Sequence, residues 1–273
     1  LHRNEVFDRI HQSLVAQIPD HQRFRRGAQC HQREDFALVD VDSQRMLAGE
    51  PTHDVVPPDV VIDIADGRSL RAVWENEVGG LTFEVGHDPD RSFVKWVPPS
   101  RAWQLDREAS RLRWATSYTP VPEVIDTGSD DRGNWLLTRA LPGNNAVSPR
   151  WTAEPATAVR AIGAGLRAFH DTLPVADCPF SWSAADRIQI AQQRARAKEI
   201  DPTRWHPIHQ CLSVDAALAE VANPPPNDRP VVCHGDACAP NTLIGPDGHW
   251  TGHVDLGALG IADPWADLAV ATW

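Results

Sequence analysis

The chain has 273 residues, 42% hydrophobic and 23% charged, a composition typical of a folded protein with room for one large domain or two lobes. A formal net charge of −11 argues against a nucleic-acid binder, and no apolar run approaches a membrane span or the hydrophobic stretch of a signal peptide. Five cysteines, an odd number scattered along the chain, suit reduced thiols in the cytoplasm better than a disulfide framework.

Residues 1–55 carry polar runs and little periodicity beyond a short predicted helix from Val6 to Ile18, and low order is expected before about residue 50. Met46 is the only methionine. Translation starting there is one explanation of the upstream residues, and a genuine N-terminal extension is the other. From Val60 the pattern becomes that of strands: Val60–Ile64, Leu70–Trp74 and Leu81–Val85. Phe93, Lys95 and Val97 then line one face of a further strand, with Val94 and Trp96 on the other. Gly79-Gly80 separates two of these strands, which by itself reads as a turn.

A helix follows over about 101–115, where Leu105, Glu108, Ala109 and Leu112 share one face. Glu108 on that apolar stripe either finds a cationic partner or sits at the stripe's edge in solvent. Of the 26 basic residues only Lys95 and Lys198 are lysines, which makes Lys95 less arbitrary as a surface cation. Pro120–Ile125 and Trp135–Thr138 read as two more strands around a turn at Gly128–Gly133, and Thr138–Gly143 breaks the pattern. Helices are predicted over Ala153–His170, Arg187–Ala197 and Val214–Val221. His206, His209 and Cys211 lie close together, but Pro207 intervenes and nothing nearby completes four ligands, so no metal site is expected there. A meander of strands followed by helices indicates an α+β class.

The most informative stretch is Val231 to Asp267. It reads V-V-C-H-G-D-A-C-A-P-N-T-L-I, a G-P-D-G turn, then H-W-T-G-H-V-D-L-G-A-L-G-I-A-D-P-W-A-D. Apolar runs at Thr242–Ile244 and Trp250–Val254 flank the turn and predict a hairpin, which would draw Asp236, Asn241 and Asp255 into one small volume. One carboxylate to orient an attacking hydroxyl, with an amide and a second carboxylate as hard oxygen ligands for Mg²⁺, is the equipment of phosphoryl transfer. Any one of these residues alone would more simply be a turn former.

His234-Gly235-Asp236, Asn241 and Asp255-Leu256-Gly257 occur in the order of the H-R-D, Asn and D-F-G elements of protein kinases. With H-G-D-A-C-x-P-N and V-D-L-G-x-L-G-x-A-D, and with Phe169-His170-Asp171 to Cys178-Pro179-Phe180 upstream, the chain resembles the aminoglycoside 3′-phosphotransferase family of kinase-like antibiotic resistance enzymes from about Pro57 onward. The resemblance implies a cytoplasmic, ATP- and Mg²⁺-dependent enzyme with a protein-kinase-like two-lobe fold. Residues 1–56 would be an extension, 57–138 an N-lobe with a small antiparallel sheet, 139–143 a hinge, and 144–273 a mainly helical C-lobe that stops short of the family's length. Asp236 would be the catalytic base, and Asn241 and Asp255 the metal ligands. Lys95, paired with Glu108, would position phosphates that approach Gly79 and Gly80, and the backbone of Arg139 and Leu141 would meet adenine.

The substrate implied is a small hydroxylated molecule, an aminoglycoside at the level of the family. Another sugar-like molecule, a macrolide, or a non-catalytic kinase-like binding module are the alternatives. Three departures bear on the substrate. Ala258 stands where the family often has Arg after D-x-G, Trp205–Ile208 carries no acid where drug-binding acids are usual, and the C-terminal helical turns are missing. Asp215, Glu220 and Asp263 remain, with Asp267 expected to brace the loop. These departures predict weakened recognition of standard aminoglycosides and a pocket lined by Trp205 for a less cationic ligand.

Overall fold

The computed structural model describes residues 48–76, 79–205, 209–224, 226–227 and 229–272. The predicted Val6–Ile18 helix, Met46 and the His206–Ile208 tripeptide lie outside the described residues. The described chain forms two compact units, one from Ala184–Pro226 and one from Ala48–Ser183 with Asn227–Thr272.

The larger unit opens with β1 (Ala48–Gly49), α1 (Asp59–Ala65), β2 (Leu70–Asn76), β3 (Leu81–Val85), β4 (Ser92–Val97), α2 (Ala102–Ala115), β5 (Val124–Asp130) and β6 (Gly133–Arg139). The six strands form one antiparallel sheet in the order β1-β2-β3-β4-β6-β5. Side chains alternate across the pleat, and both faces are covered. On one, Phe83, Val85 and Val94 are fully buried against Val60, Val61 and Ala65 of α1. On the other, Val97 and Leu136 pack on Leu105, Ala109 and Leu112 of α2. Lys95, two residues from Val97, shares this second face.

The predicted α2 stripe is correct, and Glu108 is buried within it at 6% exposure. The Val60–Ile64 run is helix, not strand. Asp59 at its first turn suits the helix dipole, and Val61 and Ala65 bury one face while Ile62 is 50% exposed. A five-residue apolar run cannot separate the two periods. The β5–β6 turn is tighter than the predicted Gly128–Gly133 span. Gly128 lies inside β5 opposite Trp135, whose ring sits where a Cβ at that position would be, 1.9 Å away. That glycine makes room for a cross-strand indole and does not turn the chain.

After β6 come β7 (Asn144–Asn145), α3 (Pro149–Ala153) and α4 (Pro155–Thr172). The smaller unit holds α5 (Ala184–Arg196) and α6 (Val214–Val221), the latter capped by the Ser213 hydroxyl, which accepts from the Ala216 amide at 3.1 Å. The chain then returns to the larger unit with β8 (Val231–Cys233), β9 (Thr242–Ile244), β10 (Trp250–His253), β11 (Gly260–Ala262) and α7 (Trp265–Ala271). The predicted hairpin is β9–β10, closed by the Gly245 amide on the His249 carbonyl at 2.8 Å. α4 buries Ala158, Ala161, Gly165, Leu166 and Phe169, a helical stripe. Phe169 joins Val232, Leu256 and Leu259 in the core that α2 also enters. This core seats the β8 loop and the turn after β10 against the sheet lobe. Among the described residues no helix is long and apolar enough to cross a membrane.

Candidate active site

The residues expected to carry phosphoryl transfer all lie in the larger unit, and the structure gathers the central ones. Lys95 Nζ donates to Glu108 Oε1 at 2.8 Å and Oε2 at 2.9 Å, and to Asp255 Oδ1 at 3.0 Å. A lysine ammonium has three donors, and all three are taken. Burial opposes the Lys95 charge, but the Asp255 and Glu108 carboxylates outweigh it and hold the ammonium above its usual pKa. In return the Lys95 ammonium holds Asp255 below the ordinary carboxylate range. Burial pushes Glu108 up, with the Lys95 ammonium opposing. Asp255 remains about half open to solvent, its side chain 50% exposed. It also sits at φ +64°, left-handed backbone that a non-glycine residue rarely adopts.

The β8–β9 loop presents Asp236. Asn241 Nδ2 donates to the Asp236 carbonyl at 2.9 Å and to its Oδ2 at 3.3 Å. That leaves Asp236 Oδ1 buried and without a hydrogen bond. A buried carboxylate oxygen without a hydrogen bond leaves one lone-pair site open for a donor. Burial, reinforced by the Asp255 charge, raises the Asp236 pKa, with the His234 ring and a hydrogen bond from the Cys238 thiol to the carboxylate opposing.

The loop is held from behind. His234 is fully buried. Its Nδ1 accepts the Asp236 amide at 3.3 Å and its Nε2 donates to the Val254 carbonyl at 2.9 Å, which fixes the Nε2–H tautomer. Asp267 on α7 accepts the His234 amide on Oδ2 and the Gly235 amide on Oδ1, both at 2.7 Å, and the His170 ring at 2.8 Å. Asp267 therefore braces the loop as the sequence suggested. Although its burial opposes the charge, the His170 hydrogen bond leads the contacts that hold it below the usual carboxylate range. His170, Cys233 and Asp267 place ligand atoms within 4.8 Å of one another, but with the Asp267 oxygens so occupied the cluster reads as part of this brace.

The peripheral residues are more restricted than expected. The Gly79 amide donates to the Asn76 carbonyl at 3.2 Å and the Gly80 amide to Asn76 Oδ1 at 2.7 Å. Both amides are thus committed within the turn. The Arg139 amide donates to the Glu123 carbonyl at 2.9 Å, and the Leu141 carbonyl accepts from Arg91 at 3.2 Å. Those two groups are engaged within the protein. Trp205 does not line a pocket. It is 3% exposed and sits in the core of the smaller unit with Ala191, Ala217 and Val221, so the argument for a less cationic ligand loses its support. Sequence reasoning also missed Arg111, whose guanidinium reaches the segment after Asp255. Its i+3 spacing from Glu108 put it on the buried face, but nothing local in the sequence pointed to Leu259.

Asn241 and Asp255 offer hard oxygen donors beside a carboxylate with one unused oxygen, a set that fits Mg²⁺. A small antiparallel sheet on a helical body, with a Lys–Glu pair whose carboxylate is buried and an Asp–Asn–Asp cluster beside it, defines a kinase-like phosphotransferase. The chain belongs to the phosphotransferase enzyme family, whose profile matches residues 73–273. It is 36% identical over 213 residues to an aminoglycoside 3′-phosphotransferase of Streptomyces ribosidificus, covering 73% of this chain and 77% of that one. Among solved structures it is similar to an aminoglycoside-3′-phosphotransferase of type VIII, with TM-score 0.68 and 30% identity over 78% of this chain and 81% of that one. It is also similar to an aminoglycoside phosphotransferase from Streptomyces rimosus in complex with ADP and streptomycin, with TM-score 0.61 and 28% identity over 78% and 80%.

Proposed function

We propose that this enzyme transfers the γ-phosphoryl group of ATP to a sugar hydroxyl of an aminoglycoside, the 3′-hydroxyl being favoured by the names of its relatives. The observation that carries the phosphoryl-transfer reading is the buried, unpaired Asp236 Oδ1 beside the Lys95–Glu108–Asp255 chain. The ADP- and streptomycin-bound relative supports the nucleotide and substrate class.

Mg²⁺ held by Asn241 and Asp255 would supply charge neutralisation on the phosphate oxygens. Asp236 Oδ1 accepts the proton of the attacking hydroxyl, and Asn241 orients that carboxylate through Oδ2. Glu108 fixes Lys95 with two hydrogen bonds. Lys95 would offer a donor to a phosphate oxygen, and Asp255, whose Oδ1 now accepts from Lys95, would offer its carboxylate to the cation. The segment from Arg139 to Leu141 would meet the adenine edge through backbone groups other than the Arg139 amide and the Leu141 carbonyl. Positioning and electrostatics do the work because the loose transition state needs little covalent help.

The test is a turnover assay with ATP, Mg²⁺ and a kanamycin-type aminoglycoside, with the product located by mass spectrometry and NMR. One phosphoryl group on a sugar hydroxyl is expected. ATP turnover confined to a non-cationic sugar or a macrolide would overturn the substrate, and no turnover with any hydroxylated acceptor would overturn the reaction.

A further inference from the structure

Arg107 and Arg111 stand one turn apart on α2, and among the described residues neither is paired with a carboxylate. Arg111 is buried at 8% exposure. Its Nε donates to the Leu259 carbonyl at 2.7 Å and its Nη1 to the Arg107 carbonyl at 3.1 Å. Its guanidinium lies 4.6 Å from the Phe180 ring centroid, and that of Arg107 lies 5.3 Å from the Trp182 ring. Burial and the neighbouring Arg107 charge lower the Arg111 pKa to about 10, so it is still a cation at neutral pH. A buried cation without a counter-charge costs stability, and packing alone would be served as well by an apolar side chain.

What Arg111 reaches gives the reason. Leu259 stands four residues beyond Asp255, and Arg111 stands three beyond Glu108 on the same helix face. α2 therefore grips the Asp255–Leu259 segment at both ends. Glu108 acts on Asp255 through Lys95, and Arg111 acts directly on Leu259. Between these grips, a Cβ at Gly257 would lie only 4.0 Å from the Glu108 Cβ. Asp255 sits at φ +64°, and strained backbone persists only where its surroundings over-determine it.

We propose that Arg111 is a positioning residue for the metal-binding turn: by tying the Leu259 carbonyl to the helix that carries Glu108, it keeps the Asp255 carboxylate at the place where a divalent cation and nucleotide phosphates meet it. This rests on the phosphotransferase reading above. It predicts that Arg111 acts on the metal-dependent part of nucleotide binding and not on folding alone.

The experiment compares the wild-type protein, Arg111→Met and Arg111→Lys by calorimetric titration with ADP, with and without Mg²⁺, and by hydrogen exchange of the ligand-free protein. For Arg111→Met we expect the Mg²⁺-dependent gain in ADP affinity to fall about tenfold, metal-free affinity to stay unchanged, and exchange to accelerate at 255–259 beyond that in β4 and β6. Arg111→Lys keeps a donor and a charge but not the planar fork, so a smaller loss, about threefold, is expected. Should Arg111→Met fail to fold, Arg111→Lys decides by the same two readouts. The proposal is overturned if a folded variant loses metal-free and metal-dependent affinity in equal measure, or if exchange rises uniformly, since either marks a purely structural role. A wild-type protein that binds no ADP even with Mg²⁺ overturns the phosphotransferase reading itself, and this inference with it.

Discussion

The Asp267 carboxylate accepts the Gly235 amide at 2.7 Å, so a residue on the last described helix fixes the backbone immediately before Asp236. Gly235 has φ +84°, and a Cβ there would stand 2.3 Å from the Ala258 carbonyl oxygen. The loop carrying the proposed base and the turn carrying the proposed metal ligand thus meet at a position with no room for a side chain. Gly235→Ala should destabilise the protein by about 2–4 kcal/mol, through left-handed strain and a clash with backbone that cannot step aside. Urea unfolding measures this, and a loss under 1 kcal/mol would mean that the two loops separate more easily than their packing suggests.

Asp236→Ala should lower kcat by about 100-fold or more while ADP affinity stays near that of the wild type, because a positioned base acts on the transition state and not on the bound nucleotide. Steady-state kinetics and nucleotide titration together decide it. Turnover within a few-fold of wild type would remove Asp236 from the base role.

Lys95→Ala leaves Glu108 buried with no cation and Asp255 without its ammonium partner. Breaking a buried pair in this way costs about 3–5 kcal/mol, so a lower melting temperature is expected together with weakened Mg·ADP binding. Asp255→Asn should weaken Mg·ADP binding with little effect on melting, because that side chain is half exposed. Equal losses of melting temperature in the two variants would show that the Lys95–Asp255 contact is chiefly structural.

Asp267→Asn tests the brace and carries a pH dependence. The His170 contact and the loop amides hold the folded-state pKa of Asp267 below its unfolded value. The stability it contributes is therefore fully present above the unfolded value, about pH 4, and is lost as pH falls through the depressed folded value. The difference in unfolding free energy between wild type and Asp267→Asn should be flat from pH 7 down to about pH 5 and shrink below about pH 4. A gap that widens on acidification would refute the charged brace.

The catalytic cluster was legible in the sequence because its members lie within twenty residues of one another around a hairpin with a strong turn. The Lys95–Glu108 pair was legible only through the family resemblance, since the stripe alone left Glu108 either paired or at its solvent edge. Other features depended on distant partners. Gly128 reads as a turn until Trp135 is laid across it. The engaged groups of Arg139 and Leu141 depend on Glu123 and Arg91. Arg111 meets a carbonyl 148 residues away, which no local pattern reports. Trp205 misled because an aromatic residue in a polar stretch resembles a binding surface, and here it is the centre of a small core. Val60–Ile64 misled because a short apolar run fits either period.

The enclosure of Lys95 also bears on how the protein can be handled chemically. Its ammonium is held protonated by two carboxylates, and an acylating reagent needs the free amine. Lys198, the other lysine of the chain, is exposed. An activated ester should therefore acylate Lys198 and spare Lys95, so that modification at Lys95 reports on loss of its carboxylate partners.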